Sequence, residues 1–197
     1  MYNKRRVAYI TAGVLVLLII YSVVTYNSLV TKEEKMKQQW AEVQNTYQRR
    51  LDLIPNLVNV VKGVSGFEQG TLVQIAEARA NALSGLNNSE LTADNYKKQN
   101  DLQDSLAASA NRVIIMIENY PVLKGTAAYS GLQTQLAGTE RRIKYARNDF
   151  NDAVAVYNKK VRSFPSSIIA GLTGFKKKEV FAAERGNDKA IEINFKN

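Results

Sequence analysis

An uncharged run of twenty residues, 7–26, constrains this chain more than any other feature. An α-helix rises 1.5 Å per residue, so the run would be about 30 Å long, which is the thickness of the hydrocarbon core of a bilayer. Consecutive aliphatic residues, 14–20, lie at its centre. The run predicts a transmembrane helix, and the lipid bilayer is the partner expected to contact residues 7–26.

The residues around this run distinguish a retained anchor from a cleaved signal. A cleaved signal peptide has a shorter apolar region that ends in small residues, whereas this run continues to Tyr26. We therefore predict an uncleaved signal anchor. Basic residues occupy positions 4–6 of the short tail formed by residues 1–6, and the next basic residue is Lys32. The positive-inside rule then predicts a single-pass protein with a cytoplasmic N-terminus and an extracytoplasmic body.

The chain contains no Cys and no His. Their absence excludes thiol nucleophiles, disulfides, zinc sites built from Cys and His, and catalytic triads that use an imidazole base. Di-iron helical bundles require Glu-x-x-His pairs, and no glycine pattern of a nucleotide-binding loop is present. We therefore expect no cofactor, no metal and no catalytic residue.

The net charge of +9 includes +3 from residues 4–6, which leaves +6 on the rest of the chain. Positive and negative residues are interspersed there, as in a solvated helical surface. The ten tyrosines could stack on nucleic-acid bases, but many recur at helical spacing, which favours packing in a core. No nucleic-acid partner is expected.

Beyond the membrane run, apolar residues recur at alternating spacings of three and four, which predicts long amphipathic helices. The first helix would continue out of the bilayer as one rod to Pro55, where the missing N–H should bend or restart it, and would end near Gly63 and Gly66. The remaining helices are predicted at about residues 67–83, 93–119 and 132–164.

Short polar connections between such helices favour antiparallel neighbours. The predicted fold is therefore all-α, with an N-terminal transmembrane helix followed by an antiparallel four-helix bundle of long helices over residues 27–165. Residues 166–197 form a separate C-terminal segment in this prediction, with a possible extended stretch at 190–195.

Several motifs resemble those of the LemA family of bacterial membrane-anchored proteins. They follow one another along the chain as RRLDLIPNLV at 49–58, VKG at 61–63, YPVLK at 120–124, TERRIKYAR at 139–147 and NDAV at 151–154. The resemblance covers about residues 26–197 and implies a helical bundle behind one membrane helix of a bacterial cell membrane. It offers no catalytic residues, because the family has no established enzymatic activity. Residues 174–181 are more basic and less aromatic than the family pattern.

Two rows of polar residues accompany these motifs. Arg49, Asp52 and Asn56 share one face of the first helix, because they are spaced by three and four. The second row, on the fourth helix, consists of Glu140, Arg147, Asn151 and Asn158. The favoured interpretation is that the rows face each other inside the bundle and form hydrogen bonds. The alternative is a groove that binds a peptide or a small polar ligand, and a carboxylate metal site is disfavoured because His is absent.

The C-terminal segment, residues 166–197, also has two interpretations. In the first it is a hook that packs across the bundle. In the second it docks on a membrane surface or a protein partner. Its apolar side chains would then be inserted and Lys176, Lys177 and Lys178 would face anionic headgroups. The apolar side chains of this segment are Ile168, Ile169, Leu172, Phe175 and Phe181.

The resulting functional hypothesis is a non-enzymatic, single-pass bacterial membrane protein whose helical body is a scaffold or adaptor. Its expected partner is another protein or a second copy of the chain. The alternative is a ligand-binding or sensory extracytoplasmic domain with a polar pocket between helices. An enzyme is the third possibility and would have to use carboxylate, Lys or Tyr chemistry alone.

Overall fold

The computed structural model of the chain describes residues 2–62, 68–87 and 92–181. These residues form six helices and no strand, so the predicted all-helical class is confirmed. The helices are α1 (Tyr2–Lys62), α2 (Gln69–Leu86), α3 (Ala93–Ile117), α4 (Pro121–Lys124), α5 (Ala127–Arg162) and α6 (Ser166–Thr173). Gly63, Gly66, residues 182–197 and the possible extended stretch at 190–195 lie outside the described residues.

Helix α1 contains both the predicted membrane segment and part of the core. Its 61 residues correspond to a rod about 90 Å long. The helix is long and apolar enough to cross a membrane: its most apolar stretch of 18 residues has a mean hydropathy of 2.5, and none of that stretch is buried against the rest of the chain. From Thr25 and Leu29 onward, by contrast, one face of the same helix is buried. Membrane segment and core helix are thus one continuous element.

Pro55 does not end or restart α1, which continues to Lys62. Of the two sequence-based alternatives at this residue, the restart is therefore wrong, and the bend stays a prediction. Proline lacks the N–H that would bond to the carbonyl oxygen of Leu51, four residues earlier. Arg79 of α2 supplies the missing donor, because its Nε lies 3.0 Å from that oxygen. A side chain from a neighbouring helix thus compensates for the proline.

This compensation predicts a coupled pair of substitutions. Arg79→Ala should lower the free energy of unfolding by about 1.5 kcal/mol, because it leaves the Leu51 carbonyl unpaired. In a Pro55→Ala background the new N–H at position 55 can bond to that carbonyl, so the same change should cost less than about half as much. Urea unfolding of the full chain in detergent measures both values. Arg141→Ala, at an exposed arginine of α5, is the control. Equal costs in both backgrounds would contradict this role of Arg79.

Helices α1 and α5 are antiparallel and pack along most of their shared length. Arg50 contacts Glu140, Tyr47 contacts Arg147, and Trp40 contacts Phe150, so the residue number falls on α5 as it rises on α1. Helices α2 and α3 form a second antiparallel pair. In the half of the body farthest from residue 26, all four helices contribute to one apolar cluster, which includes Leu57, Ile75, Val113 and Leu132.

The half of the body nearest residue 26 is built differently. There α1 and α5 pack against α6 and against the extended residues 175–181, which follow it. Leu29, Tyr157 and Ala170 form a small cluster next to the membrane segment. The one-turn helix α4 and the two-turn helix α6 are too short for a periodic signal, so the sequence did not reveal them.

Candidate functional site

The first predicted polar row lies on the outside of α1. Arg49, Asp52 and Asn56 are all exposed, and Asp52 accepts a hydrogen bond from Gln48 of the same helix at 2.8 Å. This row is therefore not buried against the second row, contrary to the favoured interpretation of the sequence. The physical reason is its register, because α1 turns its neighbour Arg50 toward the core instead.

Arg50 is the buried cation between the helices, with a relative exposure of 2%. Its Nη1 donates to the carbonyl oxygen of Gln103 at 2.9 Å and to the side-chain oxygen of the same residue at 3.2 Å. Its Nη2 forms an ion pair with Glu140. Burial lowers the pKa of Arg50, and the Glu140 carboxylate partly opposes this shift. One side chain thus links α1, α3 and α5.

Arg147, the second predicted cation on α5, also contacts α1. Its Nε donates to the hydroxyl oxygen of Tyr47 at 2.9 Å, and its guanidinium lies 5.4 Å from the centre of the Tyr47 ring. A carboxylate oxygen of Asp104 on α3 lies 3.5 Å from its Nη2. Burial raises the pKa of Tyr47, and Arg147 acts in the opposite direction. Glu140 and Arg147 therefore join the helices at two successive levels.

Asn151 and Asn158 bind the chain that follows α6. The side-chain oxygen of Asn158 accepts from the N–H of Lys178 at 2.8 Å, and its side-chain nitrogen donates to the carbonyl of the same residue at 2.8 Å. Asn151 forms the same pair of bonds with the backbone of Phe181, at 2.8 and 3.4 Å. Seven helical residues and three extended residues both span about 10 Å, so the two spacings match. These two asparagines therefore hold residues 178–181 as an extended strap.

The residues predicted to dock the C-terminal segment divide into two groups. Phe175 is half-buried, with its ring 5.8 Å from that of Tyr26, and the Nζ of Lys178 lies 3.8 Å from a carboxylate oxygen of Glu33. Both therefore contact α1. Lys176 and Lys177 are exposed. The carbonyl of Lys176 accepts a hydrogen bond from the Tyr157 hydroxyl at 3.0 Å, which fixes the backbone while the side chain reaches solvent.

An aromatic cluster closes over the strap. Phe181 packs against Trp40, Tyr96 and Phe150, with ring centres 5.5–5.7 Å apart. Burial raises the pKa of Tyr96 to about 12. Its hydroxyl is buried and has no hydrogen-bond partner within residues 2–62, 68–87 and 92–181. Because the folded state favours the neutral phenol, this contribution to stability is complete below pH 10 and is lost as the pH rises toward about 12.

Tyr96→Phe should therefore be tolerated. We expect the free energy of unfolding to stay the same or rise by about 1 kcal/mol at neutral pH, because an unpaired buried hydroxyl is removed. The loss of stability between about pH 8 and about pH 11 should become smaller. Urea unfolding of the full chain at both pH values measures this, with the exposed Tyr145→Phe as control. If the loss of stability at alkaline pH is as large as in the unmodified chain, it does not come from Tyr96.

An open groove of about 490 Å³ lies between the outer faces of α1 and α5. Arg49 and Asp52 line it together with Arg142, Tyr145 and Asp149. The predicted polar pocket therefore differs from this groove in composition, because Glu140, Arg147 and Asn151 lie elsewhere. Glu140 pairs with Arg50 of α1, and Arg147 contacts both α1 and α3. Asn151 contacts the strap. The helical register could have identified Arg142 and Asp149, which are spaced by seven on α5.

These features define a class of protein. An apolar helix of membrane-spanning length continues into an all-helical body. There the Arg50–Glu140 ion pair joins this helix to α5, and Phe181 of the extended strap packs against its Trp40. The chain is a membrane-associated helical protein.

Comparison with known proteins gives the family. The LemA family model matches residues 39–195, and the chain belongs to the LemA family. The chain is similar to the magnetosome proteins MamQ 1 and MamQ 2 of Paramagnetospirillum magneticum, with 23% identity across 84% of this chain and 68% of each relative. It is similar to MamQ of Magnetospirillum gryphiswaldense with 25% identity and the same coverage.

Proposed function

We propose that this protein is a single-pass, non-enzymatic scaffold of the bacterial cell membrane. Residues 7–26 cross the bilayer, residues 1–6 remain in the cytoplasm, and the helical body is extracytoplasmic. The observation that carries the proposal is the continuity of α1, which runs without interruption from the apolar segment into the core. A body built on its own membrane helix has a defined position relative to the bilayer.

The sides of the body support a role in protein contacts. Val73 of α2 and Ile115 of α3 are 50% and 65% exposed. They lie at the same level of the α2–α3 pair, where Gln74 bonds to Arg112 and Thr71 to Met116. Exposed apolar side chains on neighbouring helices are a suitable contact surface for a protein partner or a second copy of this chain.

Membrane topology is tested with single cysteines, since the chain has none of its own. Val122→Cys lies on α4 and is 87% exposed. We expect a membrane-impermeant maleimide to label it in intact spheroplasts. Asn3→Cys, before the membrane segment, should be labelled only after lysis. The reverse pattern would place the body in the cytoplasm, and labelling of both residues without lysis would contradict a single pass.

The scaffold role is tested by photo-cross-linking in cells. A photoreactive residue at Val73 or Ile115 should give a discrete protein adduct. The same residue at the exposed Val156 of α5 is the control and should not give that adduct. Adducts of identical pattern from all three positions, or none from any, would contradict a partner surface on α2 and α3.

A second candidate function is binding of a polar ligand in the groove of Arg49, Asp52, Arg142 and Asp149. The favouring observation is that cations and carboxylates from both helices surround one open volume. Free amino acids and dipeptides carry both charges and are suitable probes. Binding would raise the melting temperature of the full chain, and Arg142→Ala should abolish that shift. A melting temperature that no probe changes would remove this candidate.

A further inference from the structure

Helix α6 lies at the membrane-proximal end of the body. Its Ala170 packs with Leu29 of α1 and with Tyr157 of α5. Thr25, one turn before Leu29 and still within the apolar run, is 2% exposed, whereas the preceding residue Val24 is 62% exposed. Since Phe175, just after α6, contacts Tyr26, the cover over α1 begins in the last turn of the membrane segment. Once residues 7–26 are in a bilayer, α6 lies at the depth of the bilayer surface.

The side of α6 opposite its packed face is apolar and uncovered. Ser166 and Ala170, spaced by four, are buried against the body. Ile168 follows Ser166 by two residues and Leu172 follows Ala170 by two, which places both about 200° around the helix from the packed face. They are 54% and 80% exposed. Phe164, in the turn before α6, is 82% exposed. Elsewhere in the described body, the large exposed apolar residues do not follow one another at this spacing.

Charge around this apolar side fits an anionic surface. Residues 153–178 contain no acidic residue, and their basic residues are Lys159, Lys160, Arg162, Lys176, Lys177 and Lys178. They flank α6 on both sides, at the end of α5 and the start of the strap. Apolar side chains bordered by lysines and arginines are typical of elements that lie in the headgroup region of anionic lipid.

We propose that α6 is a second membrane contact, in which Phe164, Ile168 and Leu172 insert into the headgroup and acyl-chain boundary of an anionic bilayer. This inference rests on the proposed insertion of residues 7–26. The contact differs from docking through Phe175, because the ring of Phe175 faces Tyr26. Two attachment points at one end of the body fix its tilt as well as its distance from the bilayer.

Single cysteines again provide the test. The full chain is labelled with a fluorophore at Ile168→Cys or Leu172→Cys and reconstituted into vesicles of phosphatidylcholine with phosphatidylglycerol. Leu17→Cys, in the membrane segment, reports insertion of α1. Val122→Cys is a control matched in exposure to Leu172, at 87% against 80%, but far from the bilayer. Quenching is measured with spin-labelled lipid and, separately, with iodide in the buffer.

We expect spin-labelled lipid to quench the labels at 17, 168 and 172, and iodide to quench only the label at 122. Vesicles of phosphatidylcholine alone should weaken lipid quenching at 168 and 172 but leave it unchanged at 17, because only α6 depends on anionic headgroups.

Three outcomes would overturn the inference or its basis. If 17 is quenched by lipid while 168 and 172 behave like 122, α6 is outside the bilayer although α1 is inserted. If 168 and 172 are protected from both quenchers, a protein surface covers α6 instead of lipid. If 17 itself is not quenched by lipid, the proposed single-pass insertion fails.

Discussion

Glu140→Ala should lower the free energy of unfolding of the body by about 3 kcal/mol. The carboxylate is half exposed, but its partner Arg50 is 2% exposed and would keep only its hydrogen bonds to Gln103 once the ion pair is lost. An uncompensated buried cation costs several kcal/mol, whereas loss of an exposed carboxylate costs less than about 0.5 kcal/mol. Urea unfolding of the full chain in detergent measures the difference.

Two variants complete this test. Asp152→Ala, an exposed carboxylate on the same helix, should have almost no effect. The double variant Arg50→Met/Glu140→Leu removes both charges and should recover most of the lost stability, because apolar residues can replace a buried pair. A Glu140→Ala variant as stable as Asp152→Ala would show that Arg50 does not depend on this ion pair.

Phe181→Ala should destabilise the body by about 3 kcal/mol and release the strap. Its ring is 8% exposed and packs against Trp40, Tyr96 and Phe150, so truncation leaves a cavity between three aromatic side chains. The carbonyl and N–H of residue 181 would still match Asn151, but these hydrogen bonds contribute only about 1 kcal/mol each. Trypsin should then cut at residues 176–178 more rapidly than in the unmodified chain.

Phe164→Ala is the matched control, because it removes the same side chain from a residue that is 82% exposed. In detergent it should leave both the free energy of unfolding and the rate of trypsin cleavage nearly unchanged. If Phe181→Ala weakens the fold without faster cleavage at 176–178, the strap is held by the asparagines alone. If neither quantity changes, Phe181 does not anchor the strap.

The helical class and the membrane segment could be predicted because both depend on local patterns. Spacings of three and four identify an amphipathic helix, and an uncharged run of twenty residues has the length of a bilayer. The restart predicted at Pro55 is wrong because the effect of this proline depends on Arg79. Arg79 is 24 residues away in sequence and adjacent only in the folded chain.

The position of the buried cation could be predicted only in part. Arg50 lies seven residues after Val43 and seven before Leu57, so the heptad register places it in the core. The spacing of three between Arg49 and Asp52 instead favours Arg49 as the member of the polar row. Leu51 also follows Tyr47 by four and is fully buried, so this stretch of α1 buries two consecutive residues. Periodicity alone does not reveal that the buried face of α1 is two residues wide at this point.

The strap could not be predicted from sequence. The spacing of seven puts Asn151 and Asn158 on one face of α5, but their partners are backbone groups of Phe181 and Lys178, which carry no sequence signal. Residues 175–181 have no helical period of their own. Their conformation is set by contacts with residues 20 and 30 positions earlier.

The distance between residues 17 and 35 tests the continuity of α1 most directly. Both are exposed, and eighteen residues are five helical turns, so spin labels at Leu17→Cys and Lys35→Cys point to the same side. In vesicles, pulsed electron paramagnetic resonance should give one narrow distance distribution centred near about 27 Å, as expected for a single rod. A broad distribution, or a mean distance several ångströms shorter, would reveal a hinge between membrane segment and body and would contradict the continuous helix on which the proposed function depends.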